Sequence, residues 1–394
     1  MIFIELTREE FQEFSLSQEN TIFYQSSYMA DFEEKSGRTI HLLGIKENGE
    51  ILAAGIFIES HYRLNARYLR CPRGFLADYN NYELIDFFIG NLKDYCKKNN
   101  YFMLKIDPYL PLSFRDGENN IITEENREIR DHLLSLNFRE LNFSIEEKWI
   151  YILPLDKTKE ELFKNYKPQI RNYIKQAQRN KIQIEDMPVE EFDIFENIMS
   201  QTGQRQGFET HNVQYYRNLK ESFKDKILFK KAVLYCDLAI QSLNEEIEQL
   251  KTATYKKESQ LKDRDNKISA LSNKIENLNE LKEKEGNAVI LSVSCFMDYG
   301  NELIYLNSGN RSDLMNYHGS NLLMYEMINY AKDKNYKYYN FYGLGRNFPQ
   351  DIATNGMLDF KKQYNGLIEE TFGEFDLKTG AFYDLYTTIK KLRH

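Results

Sequence analysis

Four basic residues recur at every fourth position of one segment: Lys167, Arg171, Lys175 and Arg179. Pro168 suits the first turn of a helix, so the sequence predicts a helix that begins near it. A four-residue spacing places all four cations on one face of that helix, where like charges repel each other. A bound polyphosphate or RNA backbone would offset this repulsion. A solvated helix face is the alternative interpretation.

Two ionisable residues lie in apolar or aromatic segments, where a side chain could act in catalysis. Asp107 ends an apolar stretch and precedes Pro108, so it is either a capping residue or a site carboxylate. Lys361 lies beside Phe360 in a segment predicted to be a strand, where a lysine is usually exposed. The residue types alone leave both alternatives open.

Arg205, His211 and Tyr215 lie close together along the chain and form a third candidate group. A lone histidine is more often a hydrogen-bonded structural residue than a base. No motif for a serine or cysteine nucleophile, a metalloprotease or a phosphate-binding loop is found in the sequence. If the protein is an enzyme, we expect it to transfer a pre-activated group between two bound substrates, with positioning carrying most of the catalysis.

Two segments about 235 residues apart have the same organisation. Each has an upstream hairpin, a helix with a lysine-rich last turn and an aromatic strand, as in 95–107 and 330–342. Lysines in a last turn complement the helix dipole, and Asn48-Gly49 and Gly300-Asn301 are plausible hairpin turns. The sequence therefore predicts an α+β fold with two related domains of mixed sheet. A chance match of lysine-rich helix ends is the alternative.

Residues 208–285 contain neither glycine nor proline, and the second half of this run has a heptad pattern. Apolar residues alternate at four and three positions, which is the seam of a coiled coil: Leu243, Ile247, Leu250, Leu261, Ile268, Leu271, Ile275 and Leu278. Apolar strands are predicted on both sides, at 227–235 and 288–296. The run therefore reads as a helical arm inserted into a sheet, with an oligomerisation zipper as the alternative.

Composition and net charge limit the classes of protein to which the chain could belong. The chain has 394 residues, a net charge of −8, 28 tyrosines and 26 phenylalanines. The negative charge argues against general coating of nucleic acid, although a local basic site remains compatible with it. The four cysteines form no paired motif, which favours a reducing compartment over a disulfide framework or a zinc site. No signal peptide or membrane span is evident, so a cytoplasmic protein is expected.

Several short motifs, in order along the chain, resemble those of the Fem family of aminoacyltransferases, which build peptidoglycan interpeptide bridges. They run nearly end to end: Phe23-Tyr-Gln25, Cys71-Pro-Arg-Gly74, Lys105-Ile-Asp-Pro-Tyr-Leu-Pro111, the basic helix, Thr202-Gly-Gln-Arg-Gln-Gly-Phe208, Tyr325-Glu-Met-Ile-Asn-Tyr-Ala331, Asn340-Phe-Tyr-Gly343 and Phe360-Lys-Lys-Gln-Tyr-Asn-Gly366. The resemblance implies two GNAT-like domains and a helical arm in the second. We expect a first domain of residues 1–147 with 375–394, a second of 148–237 with 287–374, and an antiparallel coiled-coil arm of 238–286.

The resemblance also implies the reaction and its partners. Members of the family move an amino acid from aminoacyl-tRNA onto an amine of a precursor such as lipid II at the cytoplasmic face of the membrane. No cofactor is implied. The tRNA ester is already activated, so no enzyme nucleophile is required. The arm would then hold tRNA, with self-association or pairing with another chain as the lesser interpretation.

Site residues carried over by the resemblance are expectations. Lys361, next to Phe360, is expected to support the tetrahedral intermediate or the tRNA terminus, and Tyr215 to contact the precursor. Asp107 is kept as a site residue of uncertain role, because a carboxylate near pKa 3.9 is a poor base unless its pKa is strongly shifted.

Further substrate-binding residues are predicted beside these: Arg205, His211, Lys35, Arg73, Lys167, Arg171, Lys175 and Arg179. Two departures weaken the phosphate contacts, because His211 stands where relatives often have an arginine, and Glu33 where some have a lysine. An acyltransferase that uses acyl-CoA and a non-catalytic coiled-coil adaptor are the competing classes. The pyrophosphate loop that the first would need is not evident in the sequence.

Overall fold

The computed structural model describes residues 1–142 and 144–391 and contains two mixed β-sheets with helices. The strands in these ranges are, in order, β1 Ile2–Glu5, β2 Ile40–Glu47, β3 Glu50–His61, β4 Arg67–Cys71, β5 Leu76–Ala77, β6 Met103–Ile106, β7 Pro111–Arg115, β8 Ile121–Glu124, β9 Phe138–Glu140, β10 Trp149–Pro154, β11 Gln183–Asp186, β12 Ile227–Tyr235, β13 Ala288–Tyr299, β14 Glu302–Asn310, β15 Tyr338–Gly343, β16 Leu367–Thr371 and β17 Phe375–Lys378. The helices are α1 Arg8–Ser17, α2 Ser27–Lys35, α3 Tyr82–Lys98, α4 Arg127–Ser135, α5 Lys159–Asn165, α6 Pro168–Arg179, α7 Phe192–Gln206, α8 Val213–Phe223, α9 Cys236–Thr252, α10 Glu258–Glu285, α11 Gly319–Asp333, α12 Gly356–Lys361 and α13 Phe382–Lys391.

The two sheets repeat one arrangement, as the sequence predicts. In the first, β2, β3 and β4 are antiparallel neighbours, and α3 then leads to β6, which is parallel to β4. In the second, β12, β13 and β14 are antiparallel, and α11 leads to β15, parallel to β14. The first hairpin turns at Asn48 and Gly49, which both have positive φ and so fit a tight turn. The prediction of two mixed-sheet α+β domains is confirmed.

The strands do not follow the predicted division of the chain everywhere. The first sheet runs β1-β2-β3-β4-β6-β17-β9, with β5 pairing β3. The second runs β11-β12-β13-β14-β15-β10-β16-β7-β8. Residues 111–124, assigned from the sequence to the first domain, therefore extend the second sheet, because β7 pairs with β16. The residues 143 and 392–394, which fall within the predicted first domain, lie outside the described residues.

One apolar core joins the two domains. Its buried residues come from α1, α2 and β3 of the first domain and from α7, α8 and β13 of the second. The rings of Phe23 and Phe223 meet across this boundary with their centroids 6.0 Å apart. A continuous buried interface of this kind keeps the two sheets in a fixed relation, which a site built between them requires.

The predicted insertion is a pair of helices between two neighbouring strands. Helices α9 and α10 follow β12 and precede β13, and Tyr235 pairs with Ala288 where the strands end. Ion pairs join Asp237 to Lys282 and Glu246 to Lys267, so the helices run antiparallel. The residues Leu243, Ile247, Leu271 and Leu278 of the predicted seam are buried. A helical hairpin is thus present, whereas its coiled-coil packing stays a prediction.

Candidate functional site

Arg73 lies buried where the two domains meet. Its loop follows β4, and its side chain is only 1% exposed. The guanidinium Nη2 donates to the main-chain oxygen of Glu147 at 2.5 Å, and Nη1 donates to Thr371 Oγ1 at 3.2 Å. The guanidinium also stacks on the ring of Tyr109, 5.4 Å from its centroid. Arg73 therefore belongs to the first domain but bonds the segment that leads into the second domain and β16 of its sheet, as an interdomain tie.

Asp107 is the buried counter-ion of Arg73. It follows β6, and its main-chain N–H donates to Gly74 O at 3.2 Å. Its Oδ2 lies 3.8 Å from Arg73 Nη1, which is an ion pair longer than a hydrogen bond. Burial raises the pKa of the Asp107 carboxyl to about 6, and the arginine opposes that rise. The strong shift that a general base would need is therefore present at this carboxyl.

Lys361 is buried at the end of α12, so the expectation of an exposed strand lysine is wrong. The short helix is capped by Asn355, whose side chain accepts from Leu358 N, so the chain forms a helical turn in place of the predicted strand. The Lys361 amine donates to the carbonyl of Gly343 and to Tyr342 O, the latter at 3.2 Å. Burial lowers the pKa of Lys361 to about 7. Its neighbour Phe360 is half-buried against Tyr364.

Glu147 connects these groups, and the sequence reasoning missed it. Its main-chain oxygen accepts from Arg73, and its carboxylate accepts from Gly345 N at 3.2 Å. A side chain on Gly343 would lie 2.3 Å from the Glu147 carboxyl carbon, so a larger residue there would displace the Glu147 side chain. The negative charge of Glu147 opposes the fall in the pKa of Lys361. The only sequence signal was Gly343 itself, which ends one of the Fem-like motifs.

A second set of buried polar groups lies beside Arg73. Glu302 accepts from Asn340 Nδ2 at 2.8 Å and from the hydroxyl of Tyr109 at 3.0 Å. Burial raises the pKa of Glu302 to about 7 and that of Glu369 to about 8, and the two carboxylates also repel each other. Tyr109, which stacks on Arg73, thus links this pair to the interdomain tie.

Three residues predicted to bind substrate, Lys35, His211 and Tyr215, lie where α2 of the first domain meets α8 of the second. The rings of His211 and Tyr215 stack with centroids 3.7 Å apart, and Tyr215 contacts Phe32 edge-on at 5.5 Å. Lys35 Nζ pairs with Glu221 at 2.8 Å. Arg205 lies on α7, where its guanidinium reaches Asn310 O at 3.5 Å. Partial burial lowers the pKa of His211 from its usual value, so its ring is neutral near pH 7.

A chain of charges runs from this surface to the interdomain tie. Glu33, on α2, pairs with Arg70 at 3.3 Å, and Arg70 lies 3.7 Å from Glu146. The Tyr24 hydroxyl shares a hydrogen bond of 2.9 Å with that of Tyr342, the residue whose carbonyl accepts from Lys361. The structure thus brings the Tyr215 group and the Lys361 group to neighbouring parts of one interdomain boundary.

The basic helix forms as predicted, and it begins near the segment that follows Lys361 and ends at the base of the helical arm. α6 begins at Pro168, and buried Ile170, Ile174 and Ala177 hold its other face on the domain core. Lys167 is the residue before the helix, and its main-chain N–H donates to Gln363 O at 2.9 Å, two residues beyond Lys361. The cations of this stripe are Lys167, Arg171, Lys175 and Arg179, of which Arg171 is half-buried and the others are exposed.

The far end of the stripe meets the base of the helical arm. The main-chain oxygen of Arg179 accepts from Ser242 Oγ, on α9, at 3.2 Å. Beside this contact lies an open groove of about 780 Å³, lined on one side by Gln178 and Lys181 and on the other by Gln241 and Glu245. A helix of 12 residues spans roughly 18 Å, so the stripe runs about this far from the segment that follows Lys361 to the base of the arm.

Two buried cysteines have raised thiol pKa values. Burial raises the pKa of Cys96 and of Cys295 to about 12, so these thiols are not activated nucleophiles. Across residues 1–142 and 144–391, no cluster of three or more histidine, cysteine, aspartate or glutamate side chains could hold a metal ion. In the same ranges, no helix is both long and apolar enough to cross a bilayer.

Comparisons with known proteins match the whole length of this architecture. A sequence model of the FemAB family matches residues 6–391. The chain is 30% identical over 417 residues to the aminoacyltransferase FemA of Staphylococcus aureus (strain bovine RF122 / ET3-1), covering 100% of this chain and 99% of that protein. The crystal structure of FemX superposes with a TM-score of 0.81 at 22% identity, covering 99% of this chain and 100% of FemX. A tandem GNAT protein from the clavulanic acid biosynthesis pathway shares the fold at a TM-score of 0.50 and 9% identity, with 96% and 99% of the two chains covered.

Proposed function

The chain belongs to the FemAB family, and we propose that it moves an amino acid from aminoacyl-tRNA onto an amine of a peptidoglycan precursor such as lipid II. The relative FemA carries the name aminoacyltransferase, which supports the reaction class. The buried amine of Lys361, at the boundary between the two domains, supports a site in which both substrates meet. The protein would act at the inner face of the cytoplasmic membrane, to which it would bind peripherally.

One observation carries the choice of a tRNA donor: the basic stripe on α6 connects Lys361 to the arm. The main chain of Lys167 is bonded to Gln363, two residues beyond Lys361, and the main chain of Arg179 accepts from Ser242 on the arm. A row of cations at helical spacing fits the repeating phosphates of a nucleic-acid backbone. The acceptor stem would lie along α6 with its aminoacylated end at Lys361, and the arm would contact the rest of the tRNA.

In the proposed reaction, the acceptor amine attacks the carbonyl carbon of the aminoacyl ester. A C–N bond forms, the C–O bond to the terminal ribose breaks, and the ribose oxygen leaves with a proton. A free lysine amine has a pKa near 10.4, so deprotonating it at pH 7 costs about 4 to 5 kcal/mol, which the site must offset. Protonated Lys361 would stabilise the oxyanion of the tetrahedral intermediate or the terminal phosphate. Its pKa of about 7 keeps a sizeable protonated fraction at neutral pH.

The precursor is proposed to bind at the Tyr215 side of the boundary. His211 stacks on Tyr215, Lys35 pairs with Glu221 on the same helix as Tyr215, and Arg205 on α7 would add a further cation for a ligand that carries phosphate and peptide groups. His211 contributes little charge at neutral pH because burial lowers its pKa. The basic stripe would therefore supply the larger part of the positive potential.

The test is a transfer assay with purified lipid II and a panel of charged tRNAs, with the product identified by mass. We expect one added amino acid with one class of tRNA. A parallel titration with coenzyme A and acetyl-CoA addresses the GNAT-like alternative and is expected to show no saturable binding. Failure to form product with every charged tRNA and precursor would exclude the proposed function.

A further inference from the structure

Glu147 reaches Gly343 together with Lys361, although the two side chains come from distant parts of the chain. Lys361 donates to the main-chain oxygen of Gly343, and the Glu147 carboxyl group occupies the space that a side chain on Gly343 would need. Gly345 N holds the Glu147 carboxylate at 3.2 Å. The carboxylate is therefore fixed by the same short segment that binds the lysine amine.

The placement of Glu147 also depends on the first domain. Arg73 donates to its main-chain oxygen at 2.5 Å, and Asp107 faces Arg73 at 3.8 Å. The position of Glu147, and hence of its charge, is set by groups from both domains.

Other charged groups near Lys361 are already engaged elsewhere. On its own helix, Asp359 pairs with Lys362 at 2.8 Å at the surface, and Glu118 lies 4.0 Å from Lys362. From β15, burial raises the pKa of Tyr342, which keeps that phenol neutral. Burial lowers the pKa of Lys361 to about 7, and Glu147 is the group whose charge opposes this.

We propose that Glu147 is a positioning residue for the transfer reaction, one that keeps the Lys361 amine charged and directed at the carbonyls of Tyr342 and Gly343. This inference rests on the proposed function, because it assigns Lys361 a role in that reaction. Glu147 would act on Lys361 through its negative charge, which its hydrogen bonds to Arg73 and Gly345 hold in a fixed position. Glu147 does not itself contact the reacting atoms. If protonated Lys361 is the active form, activity falls as the pH rises through its pKa, and Glu147 moves that fall to higher pH.

The main test compares the pH dependence of transfer by the wild-type protein and by Glu147→Gln. Removing the carboxylate should shift the alkaline fall in kcat to lower pH by about one unit, the scale expected for a nearby opposite charge. Glu147→Asp keeps the charge on a shorter side chain and should give an intermediate position. Gly343→Ala, which displaces the Glu147 side chain, should shift the profile in the same direction as Glu147→Gln. The matched control is Asp359→Asn, which removes an exposed carboxylate two residues from Lys361 and should leave the profile unchanged.

A second measurement reads Lys361 directly and does not depend on activity. NMR of the full chain with isotope-labelled lysine, with the Lys361 signal assigned by its loss in Lys361→Arg, gives the pH at which this amine titrates. We expect the titration to move to lower pH in Glu147→Gln and to stay in place in Asp359→Asn. An unmoved titration in Glu147→Gln overturns the inference, even if the wild-type protein transfers amino acids. A shifted titration in a protein without transfer activity would refute the proposed function and leave the electrostatic link intact.

Discussion

Arg73 Nη2 lies 2.5 Å from the main-chain oxygen of Glu147, so a loop of the first domain is bonded to the segment that enters the second. The same arginine faces Asp107 in the first domain and Thr371 in the second. Lys361 lies one step further, since Glu147 and Lys361 both contact Gly343. Arg73, Asp107 and Lys361, which were singled out separately in the sequence, thus belong to one connected network.

Arg73→Gln should destabilise the protein strongly. Removing one partner of a buried ion pair leaves the other charge unpaired, which typically costs about 3 to 5 kcal/mol. The measurement is the free energy of unfolding in denaturant. Arg8→Gln is the matched control, because Arg8 pairs with Asp31 and Glu34 near the surface and such pairs contribute only about 0 to 1 kcal/mol. Equal destabilisation by the two variants would contradict the assignment of Arg73 as an interdomain tie.

Lys361→Met should inactivate the protein and yet stabilise it near neutral pH. The folded-state pKa of about 7 lies below the ordinary 10.5, so folding disfavours the charged amine. Between these values the unfolded chain binds the extra proton, and wild-type stability rises with pH by up to about 1.4 kcal/mol per unit. The variant lacks this rise, so its advantage, on the order of 2 kcal/mol at pH 7, should vanish and reverse by pH 10, because the wild type gains about 3.5 kcal/mol over this range. Denaturant unfolding at several pH values checks this, and a variant less stable at pH 7 than at pH 10 relative to wild type would contradict it.

The double variant Arg171→Ala/Lys175→Ala should weaken tRNA binding and its salt dependence. Log affinity falls as log salt rises, and each phosphate that the protein no longer neutralises makes this fall less steep by about 0.7 to 0.9. Removing two cations should therefore reduce the steepness by roughly 1.5. Filter binding at several salt concentrations measures the slope. Lys97→Ala/Lys98→Ala removes two exposed cations from α3 of the first domain and should leave it unchanged. Unchanged affinity for both tRNA and the lipid precursor in the first variant would rule out the stripe as a binding surface.

His211→Arg should increase affinity for the phosphate-bearing precursor at neutral pH. Burial lowers the pKa of His211, so the wild-type ring carries little charge at pH 7. A permanent charge at this exposed position is worth about 1 kcal/mol, or roughly a fivefold lower KM. The wild-type protein should approach the variant as the pH falls through the histidine pKa. A KM for the precursor that is the same in both proteins at pH 7 would place the phosphates elsewhere.

Replacing residues 244–284 by a short flexible linker should leave the fold intact and reduce tRNA affinity. Tyr235 and Ala288 are already paired where β12 and β13 end, so a short connection can join the strands. Thermal unfolding monitors the fold, and titration with uncharged tRNA monitors binding. Precursor affinity serves as the internal control, because the Tyr215 group lies on α8, outside the deleted residues. If the linker variant binds tRNA as well as the full chain, the arm has another role.

The sequence was a good guide where structure depends on local pattern. The strand 227–235 and the helix beginning at Pro168 were predicted correctly because alternation, helical spacing and a proline at the first turn act over a few residues. Lys361 was misplaced because its helix is set by the Asn355 cap and by burial against β15. Glu147 could not be found, since its significance depends on Arg73 and Gly343, which lie 74 and 196 residues away along the chain. Long-range contacts of this kind leave no periodic signal.

The position of β17 has a consequence for synthesis on the ribosome. This strand pairs with β6 on one side and β9 on the other, so the interior of the first sheet is incomplete until residues 375–378 have been made. At about 5 to 20 residues per second, roughly 10 to 50 s separate the translation of β9 from that of β17. During this interval the nascent first domain carries an open gap in its sheet with unpaired edges, which is a target for chaperones and a risk for aggregation. The native first domain is therefore expected to form only after nearly the whole chain has been translated.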